Sequence, residues 1–153
     1  MAHALNLTLK VKQDPETLAR LAHIAEVFPT QIQPKIDAAL RDSGIVHFAR
    51  VLLIENKYLQ VITEYDGDHQ DYTEFFRTKL PDVFGLLFGL AENAPDPAAM
   101  TDKKAFFEFT KSLQLRSLGD STNGDTDQGG QQAGYLFSAY GNRRVDQILL
   151  KLG

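Results

Sequence analysis

The chain has 153 residues, of which 43% are hydrophobic and 24% are charged, with a formal net charge of −4 and no cysteine. This composition is typical of one globular domain and excludes disulfides, a thiolate nucleophile and a cysteine-based zinc site. The acidic charge disfavours nucleic-acid binding, and the apolar runs are too short for a membrane span. The N-terminus lacks the pattern of a secretory signal. We therefore expect a cytoplasmic protein with a single domain over residues 1–153.

The beginning of the chain predicts one strand followed by a helical region. Apolar and polar residues alternate over residues 4–12, which is the pattern of a half-buried strand. Asp14 and Pro15 then supply the cap and the first residue of a helix. Pro29 ends this helix, and residues 31–41 predict a second helical piece.

The middle of the chain predicts a hairpin and a long helix. Residues 45–54 and 58–65 are rich in β-branched and apolar side chains and are separated by a short turn. Helical spacing of apolar residues then runs from Tyr72 to Leu87, with a bend expected at Pro81.

The second half of the chain predicts an insert before the last strand. This insert, residues 93–133, contains a helix over 103–115 and a glycine-rich loop over 119–132. Residues 134–141 predict the last strand, and residues 144–152 predict a closing helix. The resulting order predicts an α+β domain of the ferredoxin-like βαββαβ type, with a four-stranded antiparallel sheet.

The strand over residues 45–54 is apolar on both of its faces. A sheet face that meets water normally alternates with polar residues, so we expect both faces to be covered. A second copy of the chain related by a two-fold axis is the predicted cover, which gives a homodimer. The alternative is cover by the helix over residues 103–115 of the same chain.

Two short segments support a resemblance to a known superfamily. Residues 44–50 read Gly-Ile-Val-His-Phe-Ala-Arg at the start of an apolar strand, and residues 64–68 read Glu-Tyr-Asp-Gly-Asp ahead of a helix. Together with the βαββαβ order, they resemble the dimeric α/β-barrel superfamily, in particular antibiotic-biosynthesis-monooxygenase-like domains. The chain is more distantly similar to chlorite dismutases and dye-decolourising peroxidases.

The resemblance covers roughly residues 4–80 and 134–152 and implies a dimeric α/β barrel. Two facing sheets of such a dimer enclose a pocket for a small organic molecule or for haem. All four histidines of this chain lie in its first half. The haem-binding relatives supply their axial histidine from the later half, so we expect no cofactor.

His47 and Arg50 are polar residues within the apolar strand, on opposite faces according to the alternation. A buried Arg50 needs a partner, either Glu64 on the neighbouring strand or an acidic ligand. His47 is either a general base or a hydrogen-bonded core residue. These residues predict a cofactor-independent, monooxygenase-like or isomerase-like enzyme for a small organic acid or quinol, with His47 and Arg50 catalytic. The alternative is a non-catalytic ligand-binding or structural module.

A set of polar side chains is expected to line the pocket of the dimer. The set comprises Asn6, Thr8, Lys10, Gln60, Glu64 and Tyr135. The alternative is that these side chains satisfy one another across the sheet.

Two acidic segments contain several oxygen ligands of the kind that metal ions bind. Residues 66–71 contain three carboxylates and His69, but Asp68 is placed to cap the following helix. Residues 120–127 lack the spacing of a calcium loop. We therefore predict a helix cap and a solvated loop, and no metal site.

Overall fold

The computed structural model describes residues 2–121 and 123–153. Its regular elements comprise three strands and six α-helices. In chain order they are β1 (Ala2–Lys10), α1 (Pro15–Val27), α2 (Gln33–Ser43), β2 (Val46–Ile54), β3 (Tyr58–Asp66), α3 (His69–Lys79), α4 (Pro81–Phe88), α5 (Lys103–Leu113) and α6 (Val145–Leu152).

The sheet is antiparallel with β3 in the centre, in the order β1-β3-β2. The three strands predicted in the first half of the chain are therefore confirmed, with small shifts at their ends. Leu5, Leu7 and Leu9 of β1 are buried, whereas the intervening residues are partly exposed. This alternation places one sheet face against the helices.

The predicted four-stranded ferredoxin-like sheet is wrong, since the sheet has only three strands and residues 134–141 form no strand. The outer edge of β1 is instead approached by the segment after α5, where the Leu115 amide donates to the Asn6 carbonyl over 2.9 Å. Residues 134–141 lie beyond this segment, and the Tyr135 amide donates to the Leu118 carbonyl over 2.9 Å. The fourth strand is absent because a different segment occupies the edge that it needs.

The ends of the helices follow from local chemistry. Asp14 accepts a hydrogen bond from the Thr17 amide at the start of α1, and Asp68 accepts bonds from two amides at the start of α3. The predicted caps are thus confirmed. The predicted bend at Pro81 is a break between α3 and α4, since the residue before a proline disfavours helical geometry. Between α1 and α2 the chain continues through one π-helical segment over Phe28–Ile32.

The core lies between the sheet and the helices and is rich in aromatic rings. Phe88 contacts Phe84, Phe106 and Phe109 with ring centroids 4.9 to 5.7 Å apart. The aromatic residues of α4 and α5 therefore pack against one another, as their helical spacing predicts. Across the described parts of the chain, no helix has the length and apolar character that crossing a bilayer requires.

An apolar surface remains uncovered near β2 and α6. Phe48 on β2 is 73% exposed and Leu150 on α6 is 84% exposed. The helix α5 does not cover this surface, because it packs against α3 and β1. Cover by the chain's own helix over residues 103–115, the alternative to a dimer, is therefore wrong.

Candidate functional site

His47 lies at a β-bulge near the start of β2. Val46 pairs with Tyr65 and Phe48 pairs with Glu64, so His47 is the extra residue between two pairs. Bulges of this kind redirect a side chain and are common beside active sites. The imidazole Nε2 lies 2.8 Å from an oxygen of Asp66, the last residue of β3.

The His47–Asp66 pair is largely removed from water, with side-chain exposures of 10% and 4%. The second carboxylate oxygen of Asp66 accepts the amide of Val145, the first residue of α6, over 2.8 Å. Asp66 therefore acts as an acceptor that fixes both the imidazole and the start of the C-terminal helix. With Nε2 donating to this carboxylate, the lone pair of neutral His47 lies on Nδ1.

His47 and Arg50 line a cleft of about 580 Å³ between β2 and residues 136–149, called here the C-terminal cleft. Phe48, Phe137 and Tyr140 add aromatic surface to the same cleft. Strict alternation along β2 predicts that His47 and Arg50 lie on opposite faces of the sheet. The bulge at His47 interrupts this alternation, so both side chains reach the same cleft. The structure therefore brings an imidazole and a guanidinium to one cavity of a size suited to a small molecule.

Arg50 is exposed rather than buried, so the expectation of a buried arginine is wrong. It lies on the same face of the sheet as Glu64, which also lines the C-terminal cleft. Partial burial raises the pKa of Glu64, while the charges of Arg50 and His47 lower it to a smaller extent. The burial of Glu64 therefore opposes its ionisation more strongly than the neighbouring Arg50 and His47 favour it.

A second cleft of about 510 Å³, called here the helix cleft, lies between α2, α4 and β2, and His47 and Arg50 line it as well. Thr63 lines this cleft with a side chain that is 2% exposed, and its Oγ1 makes no hydrogen bond to the described residues. The hydroxyl of Tyr72 is likewise buried without a hydrogen bond. Burial raises the pKa of Tyr72, whereas the neighbouring Thr63 hydroxyl lowers it to a smaller extent. The two oxygens nevertheless do not meet hydrogen-bond geometry, so the helix cleft contains an unsatisfied hydroxyl in an apolar wall.

Four of the six side chains predicted to bind a ligand contact other groups of the chain. Gln60 donates to Thr8 over 3.0 Å, and Asn6 donates to the Leu115 carbonyl and the Ser117 hydroxyl. Lys10 lies 3.9 Å from Glu92.

Tyr135 is half exposed and is not one of the residues that line the C-terminal cleft. Of the predicted set, Glu64 is the residue that lies in this cleft together with His47 and Arg50.

Another polar cluster joins parts of the chain that are far apart in sequence. His3 of β1, His69 of α3 and Asp125 each place one ligand-type atom within 4.8 Å of the other two. His3 Nδ1 lies 2.8 and 2.9 Å from the two oxygens of Asp125. His69 Nδ1 accepts the hydroxyl of Tyr65, and its Nε2 donates to the Thr126 carbonyl over 2.8 Å.

Sequence reasoning considered His69 and the loop of Asp125 separately and did not include His3. The local alternation around His3 is that of a strand, and nothing near it in sequence indicates a ligand. A signal exists only in the three-dimensional arrangement, since His3 and Asp125 are 122 positions apart.

A comparison with known protein families found no match to this chain. A comparison with curated proteins also found no match. The resemblance to the dimeric α/β-barrel superfamily therefore stays a prediction.

Proposed function

We propose that the protein binds a small organic acid or quinol in the C-terminal cleft and that His47 removes a proton from it without a cofactor. The observation that supports this proposal is the buried His47–Asp66 pair on the wall of a cleft that also contains the exposed Arg50. The reaction class is that of a cofactor-independent, monooxygenase-like or isomerase-like enzyme.

The proposed chemistry begins with binding of the acidic group by Arg50. A guanidinium donates two parallel hydrogen bonds to a carboxylate or to an enolate oxygen. Phe48, Phe137 and Tyr140 supply apolar contact for the body of the ligand. Glu64 lies beside Arg50 in the same cleft, and the ligand replaces it as the partner of the guanidinium.

Proton removal follows from the orientation of the imidazole. Nδ1 of His47 accepts the proton of the ligand, and the imidazolium that forms keeps its Nε2 hydrogen bond to Asp66. The buried carboxylate stabilises this cation, and the geometry needs no rearrangement of the ring. Asp66 is thus a positioning residue, whereas His47 contacts the ligand.

A panel of aromatic carboxylic acids and hydroquinones tests the proposal by thermal shift and by turnover. We expect a ligand to stabilise the wild type and the exposed-histidine control His23→Ala, with weaker stabilisation of Arg50→Gln. Proton exchange or turnover of that ligand is expected to be lost in His47→Gln while its binding remains. No stabilisation by any member of the panel would refute the proposal.

A non-catalytic ligand-binding module is the second candidate, and it is favoured by the helix cleft. Thr63 lines this cleft among apolar side chains, and its buried hydroxyl reaches a polar atom of a ligand only after a local shift of the residues around it. Ligand stabilisation that is lost in Thr63→Val but kept in Phe137→Ala, which alters a residue of the C-terminal cleft that does not line the helix cleft, supports this candidate against the first.

We also propose that the chain forms a homodimer through the exposed apolar surface of β2 and α6. Phe48 and Leu150 contribute to this surface, and β2 is an edge strand whose outer side is free to meet a second copy. Sedimentation is expected to show dimers for the wild type and for Leu118→Asp, which alters an exposed leucine elsewhere. Leu150→Asp is expected to be monomeric, and a monomeric wild type at micromolar concentration would contradict the proposal.

A cytoplasmic location also remains part of the proposal. Its support is the complete absence of cysteine from the sequence, which suits a reducing compartment.

A further inference from the structure

We propose that His3, His69 and Asp125 form a binding site for a divalent transition-metal ion such as Zn²⁺. Two imidazoles and one carboxylate are a ligand set that suits zinc and the neighbouring d-block ions rather than Mg²⁺ or Ca²⁺, which prefer oxygen. One atom from each residue lies within 4.8 Å of the other two, a separation that a single ion can bridge.

The hydrogen bonds around the three residues resemble the outer shell of a metal site. His69 donates its Nε2 proton to the Thr126 carbonyl over 2.8 Å, which leaves Nδ1 with the lone pair. Metal-bound histidines usually donate their second nitrogen in this way, because the bond fixes the ring and its tautomer. The proposed ligand atom of His69 is therefore Nδ1.

The carboxylate of Asp125 is held by its own backbone contacts. One of its oxygens accepts the Thr126 amide over 2.8 Å, and the Asp125 amide donates to the Ser121 hydroxyl over 2.9 Å. Asp125 and His3 have side-chain exposures of only 10% and 16%. Asp125 and His3 are therefore ordered before an ion arrives, which lowers the entropic cost of binding.

Two contacts must change when the ion binds. The His3 ring, whose Nδ1 faces both Asp125 oxygens, transfers its proton to Nε2 or releases it, so that Nδ1 can bind the ion. The Tyr65 hydroxyl, which is fully buried, lies on the lone pair of His69 Nδ1, so its oxygen must move away from that nitrogen to leave room for the ion.

The proposed ion would join three separate parts of the chain. His3 belongs to β1, His69 begins α3, and Asp125 lies in the glycine-rich segment between α5 and α6. An ion at this position fixes that segment to the sheet and stabilises the folded state in proportion to its occupancy.

Titration of the untagged full-length chain with Co²⁺, followed by Zn²⁺ competition, tests the site. We expect one equivalent of Co²⁺ to produce visible d–d absorption, and one equivalent of Zn²⁺ to abolish it. His3→Ala, His69→Ala and Asp125→Asn are each expected to weaken binding by at least about tenfold. His23→Ala, which removes an exposed histidine of α1, is expected to leave binding unchanged.

A measurement on the wild type keeps the test independent of whether the variants fold. In imidazole NMR spectra, Zn²⁺ is expected to shift the resonances of His3 and His69 and to leave those of His23 and His47 in place. Binding that shifts His47 instead, binding unaffected by all three substitutions, or the absence of one-equivalent binding would overturn the proposal.

Discussion

Replacing Thr63 by valine is expected to stabilise the protein. The Thr63 side chain is 2% exposed, and its hydroxyl makes no hydrogen bond to the described residues. A buried hydroxyl without a partner costs about 1–3 kcal/mol relative to its hydrated state in the unfolded chain. Valine has almost the same shape and lacks this polar atom, and it also favours the strand conformation of β3. We therefore expect the free energy of unfolding to rise by about 1–2 kcal/mol.

Urea denaturation followed by far-ultraviolet circular dichroism measures this change, and thermal denaturation provides a second reading. For a domain of this size the expected gain corresponds to a rise in Tm of about 2–8 °C.

Thr110→Val is the matched control for this substitution. Thr110 is 1% exposed, but its hydroxyl donates to the Phe107 carbonyl over 2.8 Å. This control is expected to lose about 0.5–1.5 kcal/mol. A Thr63→Val protein that is less stable than the wild type would refute the reasoning, since the hydroxyl must then have a favourable partner.

Three further predictions concern Asp66, Glu64 and Phe88. Asp66→Ala removes the acceptor of the His47 imidazole and of the Val145 amide. We expect it to lower the free energy of unfolding, measured by urea denaturation, by about 3–5 kcal/mol. A decrease below about 1 kcal/mol contradicts the role assigned to Asp66. Because the pKa of Glu64 is raised in the folded protein, its contribution to stability is largest at low pH and declines as the pH rises above about 4.3. As the pH rises from about 4 to 7, the free energy of unfolding of the wild type is therefore expected to fall relative to that of Glu64→Gln. A difference between the two proteins that is constant with pH contradicts this prediction. Phe88→Ala removes a ring that is packed among three others and is expected to lower the free energy of unfolding by about 3–5 kcal/mol. Phe137 is exposed, so Phe137→Ala is expected to change the stability of the monomer by less than about 0.5 kcal/mol.

The sequence by itself determined the local elements of the first half of the chain. The alternation in β1, the hairpin of β2 and β3 and the caps at Asp14 and Asp68 depend on residues within a few positions of one another. The position of the helix break at Pro81 depends equally on local sterics. These features are predictable because backbone preferences and side-chain caps act over short distances.

The tertiary structure decided which segment occupies the edge of β1. Residues 134–141 have the composition of a strand, but a segment near Leu115 reaches that edge first along the chain and takes its hydrogen bonds. Both segments are compatible with pairing, so alternation does not distinguish them. The competition is settled by chain connectivity and packing, which a local pattern does not contain.

The candidate sites also arise only in three dimensions. His47 and Arg50 were identified from polar residues in an apolar strand, yet the bulge that places them on one cleft depends on the register of β2 against β3. His3, His69 and Asp125 have no common motif, because their contacts form only when β1, α3 and the segment before α6 meet. Periodicity determines which side of an element is buried, whereas packing between distant elements determines which functional groups meet.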